Sequence, residues 1–215
     1  PSDFSALLNQ LVYAYPLQSV LVLQNLMDSH DTDRLASMFV NPDRGYDTSN
    51  RLQDTGPDYS LDKPDETQRR RMMQAIVCQM TFVGAPMIYY GDEAGMWGPD
   101  DPSNRQPMIW RDLMPYDDPA VKFDGELFGW YQRLIAVRYG LPALRRGFFR
   151  TLIADDDTGV LAYARDLDND HAYIVLNRSA EARNVLLPLA ERDSNTTLVN
   201  WLDQSQAALR VDVSD

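Results

Sequence analysis

Cysteine and histidine, two of the residue types that most often bind transition metals, are almost absent from this sequence. Cys78 is the only cysteine, and His30 and His171 are the only histidines among 215 residues. One cysteine excludes an intrachain disulfide, and so few ligands argue against a His/Cys metal site. Because Cys78 lies within an apolar helical pattern, we interpret it as a small core residue rather than a nucleophile.

Basic residues and long apolar runs are scarce as well. The sequence has 20 Lys and Arg residues against 32 Asp and Glu residues, which gives a net charge of −12. Nucleic acid and anionic membranes repel such a chain, so neither is an expected partner. The sequence has no signal-peptide pattern and no apolar run of transmembrane length, and its compartment stays open. It begins with Pro1, so we expect either a processed chain or a piece of a longer protein.

The apolar residues that are present, 44% of the chain as hydrophobic types, are sufficient to bury a core. Three segments have the period of amphipathic helices, namely residues 2–15, 65–82 and 125–139. Ser2 or Asp3 is the expected cap of the first helix, and Asp65 with Gln68 forms a capping-box pattern for the second. The residues expected to end the three helices are Pro16, Gly84 and Gly140.

Two short apolar segments each lead into a run of polar residues. They are residues 20–23, followed by the polar residues 28–33, and residues 87–90, followed by Gly91, Asp92 and Glu93. A long loop rich in proline and glycine, residues 40–66, separates them and is expected on the same side as the first polar run. This order predicts two βα-type units of a parallel sheet, in which functional residues lie at the carboxyl ends of the strands.

The pair His30 and Asp31 lies at the first of these strand exits. Such pairs also occur in ordinary turns and helix caps, so these two residues alone leave a turn and a functional site equally open. After Gly147 the period changes to that of a small antiparallel β domain, with strands predicted at residues 148–153, 160–165, 172–177, 184–187 and 197–202. Its acidic turns lack the spacing of a calcium-binding loop, which favours solvated hairpin tips.

Three motifs occur in one order and at similar separations in a known family. They are residues 26–32 (LMDSHDT), 79–96 (QMTFVGAPMIYYGDEAGM) and 101–110 (DPSNRQPMIW). Together they strongly resemble the α-amylase family, glycoside hydrolase family 13, and are most similar to its cyclomaltodextrinase, neopullulanase and maltogenic amylase group. The resemblance covers residues 1 to about 177.

The resemblance implies an α/β fold, a (β/α)₈ TIM barrel followed by a small antiparallel β-sandwich. Residues 1–146 would then be the C-terminal portion of the catalytic barrel, from its helix 6 to its helix 8. Residues 147–215 would be the β-sandwich domain, ending before its final strand.

The resemblance also assigns roles to four residues. Asp31 matches the carboxylate that stabilises the transition state, and His30 matches a histidine that contacts the same sugar. Asp101 and Arg105 match a substrate-binding pair, which would hold a neutral sugar by charged hydrogen bonds. Four aromatic residues are candidate sugar platforms, although packing is the favoured interpretation for each of them: Tyr46, Tyr59, Trp97 and Trp110.

The family's nucleophile and general acid match nothing in this chain. The resemblance therefore implies a part of a retaining glycoside hydrolase that acts on α-1,4 or α-1,6 linkages in malto-oligosaccharides, cyclodextrins or pullulan. We expect the chain alone to be inactive and the missing N-terminal part to be a companion chain. We expect no cofactor; some family members hold a structural calcium, but no ligand set for one is identifiable here. The oligomeric state stays open.

Two alternatives remain at this point. One is a non-catalytic carbohydrate-binding or interaction protein built on a degenerate amylase fold. The other is an isomerase or transferase of the same family that acts on trehalose or sucrose.

Overall fold

The computed structural model describes residues 1–54, 56, 58–189, 197–203 and 209–210. The chain divides into two compact units, one formed by residues 1–21 with 133–215 and one formed by residues 22–132. The domain boundary predicted between residues 146 and 147 stays a prediction, although the antiparallel strands do begin at Phe148. None of the helices in the described ranges is long and apolar enough to cross a membrane.

The first unit begins with helix α1, Ser2–Ala14, and a short helix α2, Leu17–Val20. The predicted first helix is thus confirmed and ends before Pro16, but its cap is Pro1 without a side-chain hydrogen bond rather than Ser2 or Asp3. The Ser2 backbone N–H donates to Asp156 Oδ1 at 3.0 Å instead. Of the apolar residues that predicted it, Phe4, Leu7 and Leu11 are exposed, whereas Leu8 and Val12 are half-buried.

Helix α5, Gly125–Gly140, runs from the second unit into the first and is followed by α6, Pro142–Arg146, with its proline in the first turn. The predicted third helix is therefore confirmed to within one residue at its end. Pro142, which cannot donate a backbone hydrogen bond, is tolerated there because the first helical N–H groups have no partner in the helix.

The β-rich part of the first unit is a three-stranded antiparallel sheet in the order β3-β4-β5. Strand β3 is Phe148–Asp155, β4 is Val160–Leu167 and β5 is Asp170–Asn177. The central strand β4 is buried along most of its length, and Tyr163 lies opposite Thr151 and Ile174. Two short strands, β6 Thr197–Leu198 and β7 Leu209–Arg210, pair antiparallel.

The strand predicted at residues 184–187 is wrong. These residues are described and form no strand, and Leu186 is 94% exposed. The alternation of apolar and polar residues gives a period but supplies no neighbouring edge with which to pair. One of the acidic turns expected between the strands lies at residues 156–159, and the Asp155 carboxylate beside it accepts hydrogen bonds from the backbone and hydroxyl of Thr158.

The second unit contains a parallel pair of strands, β1 Gln24–Asn25 and β2 Ala85–Pro86. Parallel pairing was predicted, but both strands lie beside the apolar segments rather than on them. The reason is visible in the ladder: the carbonyl oxygens of Leu23 and Asn25 accept from the N–H groups of Ala85 and Met87 at 2.7 and 3.0 Å. The described strands do not by themselves show a barrel, which stays a prediction.

Helix α3, Leu35–Val40, follows β1, and helix α4, Glu66–Thr81, precedes β2. The capping box of α4 is confirmed, since Asp65 and Gln68 exchange side-chain to backbone hydrogen bonds of 2.8 Å. The predicted apolar stripe is also buried at Met72, Ile76 and Met80. Cys78 is buried beside it, as a core residue would be.

Gly84 has a different role from the predicted one. Helix α4 ends at Thr81, and Gly84 has a φ of +108° between the helix and β2. A Cβ atom at this position would lie 2.4 Å from the carbonyl oxygen of Leu23. The glycine therefore allows β2 to approach β1 rather than stopping the helix.

Candidate active site

The turn that follows β1 is closed by its own side chains. The Ser29 backbone N–H donates to Thr32 Oγ1 at 2.9 Å, and the Asp31 N–H donates to Ser29 Oγ at 3.1 Å. Thr32 is buried, whereas the side chains of His30 and Asp31 are 65% and 64% exposed. The turn therefore presents an imidazole and a carboxylate to solvent on a fixed backbone.

Arg105 brings the predicted residues together. Its Nη2 donates to Asp31 Oδ1 at 3.0 Å, and its Nε donates to the His30 carbonyl oxygen at 2.9 Å. The same Nη2 lies 3.5 Å from Asp101 Oδ2. His30 Nε2 lies 3.1 Å from the other carboxylate oxygen of Asp31. The four residues named from the sequence thus form one contiguous cluster within the second unit.

A second arginine joins this cluster from the long loop of residues 40–66. Arg51 Nε lies 2.8 Å from Asp101 Oδ1 and 3.6 Å from Asp100 Oδ2. This contact places the loop beside the turn, as predicted. Sequence reasoning missed Arg51, because a lone arginine within a polar loop has no spacing that distinguishes it.

Two buried polar residues support the turn from below, and sequence reasoning missed both. Asn104 is fully buried, and its Nδ2 donates to the carbonyl oxygens of Ser29 and Thr32 at 3.1 and 2.6 Å. Arg34 is also fully buried, and its Nε donates to the Asn104 carbonyl oxygen at 2.9 Å. The only available signal for Asn104 was its place next to Arg105 in the third motif.

The Arg34 guanidinium has further partners around it. Its Nη1 donates to the Tyr90 carbonyl oxygen at 2.7 Å and to Asp92 Oδ1 at 3.2 Å. The guanidinium carbon lies 4.5 Å from the ring centre of Tyr89 and 4.9 Å from that of Tyr90. Such stacking suits an arginine, whose planar cation is weakly hydrated.

Asp28 and Asp92 form a buried carboxyl pair beside this arginine. The pKa of Asp92 is raised well above its ordinary value, mainly by burial and secondly by the neighbouring Asp28 carboxyl. Burial also raises the pKa of Asp28, whose Oδ2 accepts from the Leu35 N–H at 2.8 Å. Burial of two adjacent carboxyls beside each other thus disfavours the state in which both are ionised.

Asp33 is a third buried carboxylate at the end of the turn. It is 1% exposed and accepts hydrogen bonds from the Tyr59 hydroxyl at 3.1 Å and from Asn50 Nδ2 at 3.3 Å. Burial raises the pKa of Asp33 to about 6. Tyr59 is thus a packing residue, the interpretation that the sequence favoured over a sugar platform.

The other candidate platforms differ in their exposure. Tyr46 is 61% exposed and Trp110 is 54% exposed, so both rings are open to a ligand. Trp97 is half-buried, with its Nε1 donating to the Leu61 carbonyl oxygen at 3.0 Å and Lys63 Nζ lying 4.3 Å from the ring centre. Its contacts are those of a packed side chain.

No group of three or more His, Cys, Asp or Glu residues able to hold a metal occurs within the described part of the chain. What the cluster can do chemically is to offer a polar ligand two carboxylates and two guanidinium groups at the carboxyl end of a parallel strand pair. This position is the one at which α/β-barrel enzymes place their active sites.

Comparison with known proteins shows what the chain as a whole is similar to. Residues 149–210 match the family model described as "Maltogenic Amylase, C-terminal domain". Neopullulanase 2 from Thermoactinomyces vulgaris is 34% identical over 200 residues, which are 93% of this chain and 28% of that protein. A cyclomaltodextrinase from Geobacillus thermopakistaniensis is 35% identical over 201 residues, which are 94% of this chain and 28% of that protein.

A solved structure titled "Cyclomaltodextrinase" superposes with a TM-score of 0.62 at 31% identity, covering 88% of this chain and 26% of that chain. The chain therefore spans little more than a quarter of the length of these relatives. The comparisons confirm the resemblance inferred from the motifs: the chain is similar to the C-terminal portion of the cyclomaltodextrinase, neopullulanase and maltogenic amylase group.

Proposed function

We propose that this chain is the C-terminal part of a retaining glycoside hydrolase that acts on α-1,4 or α-1,6 linkages of malto-oligosaccharides, cyclodextrins or pullulan. The observation that carries the proposal is the convergence of Asp31, His30 and Asp101 on Arg105 at the exit of a parallel strand. The similarity to proteins named neopullulanase and cyclomaltodextrinase supports the substrate class.

Asp31 is the proposed transition-state stabiliser. Breaking a glycosidic bond with retention develops positive charge on the sugar ring, and a fixed carboxylate that accepts hydrogen bonds from the ring hydroxyls holds them more strongly as that charge grows. Asp31 is exposed to a ligand and yet held by Arg105 on one oxygen and faced by His30 on the other. His30 is proposed to donate to the same sugar.

Asp101 and Arg105 are the proposed binding pair for a sugar beside it. Between them they offer an acceptor and several donors, which match the mixed donors and acceptors of neutral sugar hydroxyls. Arg51, bound to Asp101 at 2.8 Å, holds the carboxylate in place. The exposed rings of Tyr46 and Trp110 are proposed as apolar platforms.

The nucleophile and the general acid are proposed to come from a part of the enzyme that precedes this chain, so the chain alone should be inactive. Uncovered apolar side chains support a companion of this kind. Helix α1 exposes Phe4, Leu7 and Leu11 in the first unit, and Val22 is 72% exposed in the second. An apolar helix face such as that of α1 is one that a further segment can cover.

The test is turnover by the longer protein that contains this chain, with maltoheptaose, β-cyclodextrin and pullulan as substrates. NMR of the first product should show retention of the anomeric configuration. Asp31→Asn should lower kcat by roughly a hundredfold or more, because one fixed charge at the transition state is lost. The matched control Asp43→Asn, an exposed carboxylate outside the cluster, should leave kcat unchanged.

Four outcomes would count against parts of this proposal. Turnover by the purified 215-residue chain would refute its inactivity, and near-normal kcat in Asp31→Asn would remove Asp31 from the mechanism. Binding of maltodextrin without any turnover by the longer protein would favour the non-catalytic alternative. Isomerised or transferred products from trehalose or sucrose would favour an isomerase or transferase of the same family.

A further inference from the structure

We infer that Asn104 is a positioning residue, whose buried carboxamide holds the His30-Asp31 turn in the orientation in which Asp31 meets its ligand. That this orientation matters for turnover rests on the function proposed above. That Asn104 fixes the turn does not depend on that function. Asn104 lies in the third motif, and neither its neighbours Asp101 and Arg105 nor any catalytic assignment explains its burial.

The geometry is that of a clamp across the turn. Asn104 is 0% exposed, and both hydrogens of its Nδ2 group are directed at one short segment. The acceptors are the carbonyl oxygens of Ser29 and Thr32, at 3.1 and 2.6 Å, which flank His30 and Asp31 on either side. The opposite orientation of the amide would direct its oxygen at two carbonyl oxygens, so the hydrogen bonds define the orientation.

The adjacent residue completes this arrangement. Arg105 Nε donates to the His30 carbonyl oxygen at 2.9 Å, so two consecutive residues of one loop hold three carbonyl oxygens of the turn. Asp31 itself is 64% exposed and cannot be fixed by packing. Its direction therefore depends on its contacts with Arg105 and His30 and on the backbone of the turn, which Asn104 and Arg105 hold.

The clamp is anchored on a rigid base. The Asn104 carbonyl oxygen accepts from Nε of the fully buried Arg34 at 2.9 Å. Arg34 is itself held by the Tyr90 carbonyl oxygen and by Asp92. Asn104 Oδ1 has no hydrogen-bond partner among the described residues. The side chain is thus held by what it donates to the turn, which is the arrangement expected of a positioning group.

The decisive variant is Asn104→Asp, which keeps the size of the side chain and removes its N–H donors. The ionised form would place an oxygen against two carbonyl oxygens, whereas the protonated form can donate one hydrogen bond. The matched control is Asn41→Asp. Asn41 is also buried, and its Nδ2 also donates to two carbonyl oxygens, those of Ser37 and Ser60, both at 3.0 Å.

Two readouts separate positioning from general stability. The first is amide hydrogen exchange of the full 215-residue chain, followed for Asp31 and Thr32 at a temperature well below unfolding. Asn104→Asp should speed their exchange by about tenfold or more, which corresponds to the loss of a typical hydrogen bond. Asn41→Asp should leave these two amides unchanged while speeding exchange near Ser60.

The second readout is the kinetics of the longer protein. Asn104→Asp should lower kcat by about tenfold or more with a change in KM below about threefold, and lower pH should restore part of the loss as the carboxyl gains its proton. Unchanged exchange at Asp31 and Thr32, or an equal fall of kcat in Asn41→Asp, would overturn the inference. An inactive wild-type protein would refute the proposed hydrolase function alone, because the exchange comparison would still decide whether Asn104 holds the turn.

Discussion

Replacing Asp33 by Asn should change how the stability of this protein depends on pH. Asp33 is 1% exposed and accepts from the Tyr59 hydroxyl and from Asn50. The substitution keeps the shape of the side chain and an oxygen that can accept from Tyr59. It removes the group whose ionisation is penalised by burial, and thus it isolates that penalty.

The magnitude follows from the pKa of Asp33, which burial raises from 3.8 to about 6. Below pH 3.8 the carboxyl is protonated in both the folded and the unfolded state, so its ionisation does not change the free energy of unfolding. As the pH rises from 3.8 to about 6, the unfolded state loses its proton while the folded state keeps it, so folding becomes less favourable. Above pH 6 the loss is complete and amounts to about 3 kcal/mol.

The assay is urea unfolding of the wild-type and Asp33→Asn chains at several pH values between 3.5 and 8. The free energy of unfolding of the wild type should fall by about 3 kcal/mol relative to that of the variant across this range. Asp43→Asn, which removes an exposed carboxylate, should follow the wild-type curve. Parallel curves for the wild type and Asp33→Asn, or a wild type that gains stability on the variant as pH rises, would refute the reasoning.

Two further predictions concern the interior of the second unit and the glycines. Asp28→Asn and Asp92→Asn should each lower the free energy of unfolding at pH 7 by less than about 1.5 kcal/mol, since either variant leaves one carboxylate for Arg34. The double variant should lose roughly 3–5 kcal/mol, because Arg34 is then a buried charge without a carboxylate partner; additive losses in urea unfolding would show that neither carboxyl can replace the other beside Arg34. Gly84→Ala should lower the free energy of unfolding by about 2 kcal/mol or more, since Gly84 has a φ of +108° and a Cβ would meet the Leu23 carbonyl. The thermal midpoint should fall accordingly. Gly129→Ala, with nothing within 4 Å in helix α5, should instead gain about 0.5–1 kcal/mol, and equal effects of the two would contradict the steric argument.

The helices could be predicted from the sequence because their signals are local. The capping box at Asp65 and Gln68 and the apolar period behind it fix the start and the face of α4 without reference to the rest of the molecule. The parallel strands were predicted less accurately. An apolar run predicts that a segment is buried, but the pairing of Gln24 with Ala85 depends on a partner 61 positions away along the chain.

Some residues of the candidate site could likewise be predicted from the sequence and others could not. His30, Asp31, Asp101 and Arg105 could be named from their motifs, and the structure places them in one cluster. The buried Arg34 and Asn104 beneath them could not, because a polar side chain that is satisfied by backbone carbonyls leaves no periodic pattern in the sequence. Their partners are identified only once the turn and the loop are in contact.

The charges around Asp31 support its proposed role as a stabilising carboxylate rather than a general acid. Three carboxylates, those of Asp31, Asp100 and Asp101, lie within 3.6 Å of two guanidinium groups, those of Arg105 and Arg51. Arg105 Nη2 lies 3.0 Å from Asp31 and 3.5 Å from Asp101. A sugar hydroxyl that binds Asp101 can therefore leave the contact between Arg105 and Asp31 in place. A general acid must carry a proton to the leaving group, whereas one oxygen of Asp31 is occupied by a cation and the other faces His30. A carboxylate fixed in this way can strengthen its hydrogen bonds to a sugar ring as positive charge develops, without any reorganisation of the site.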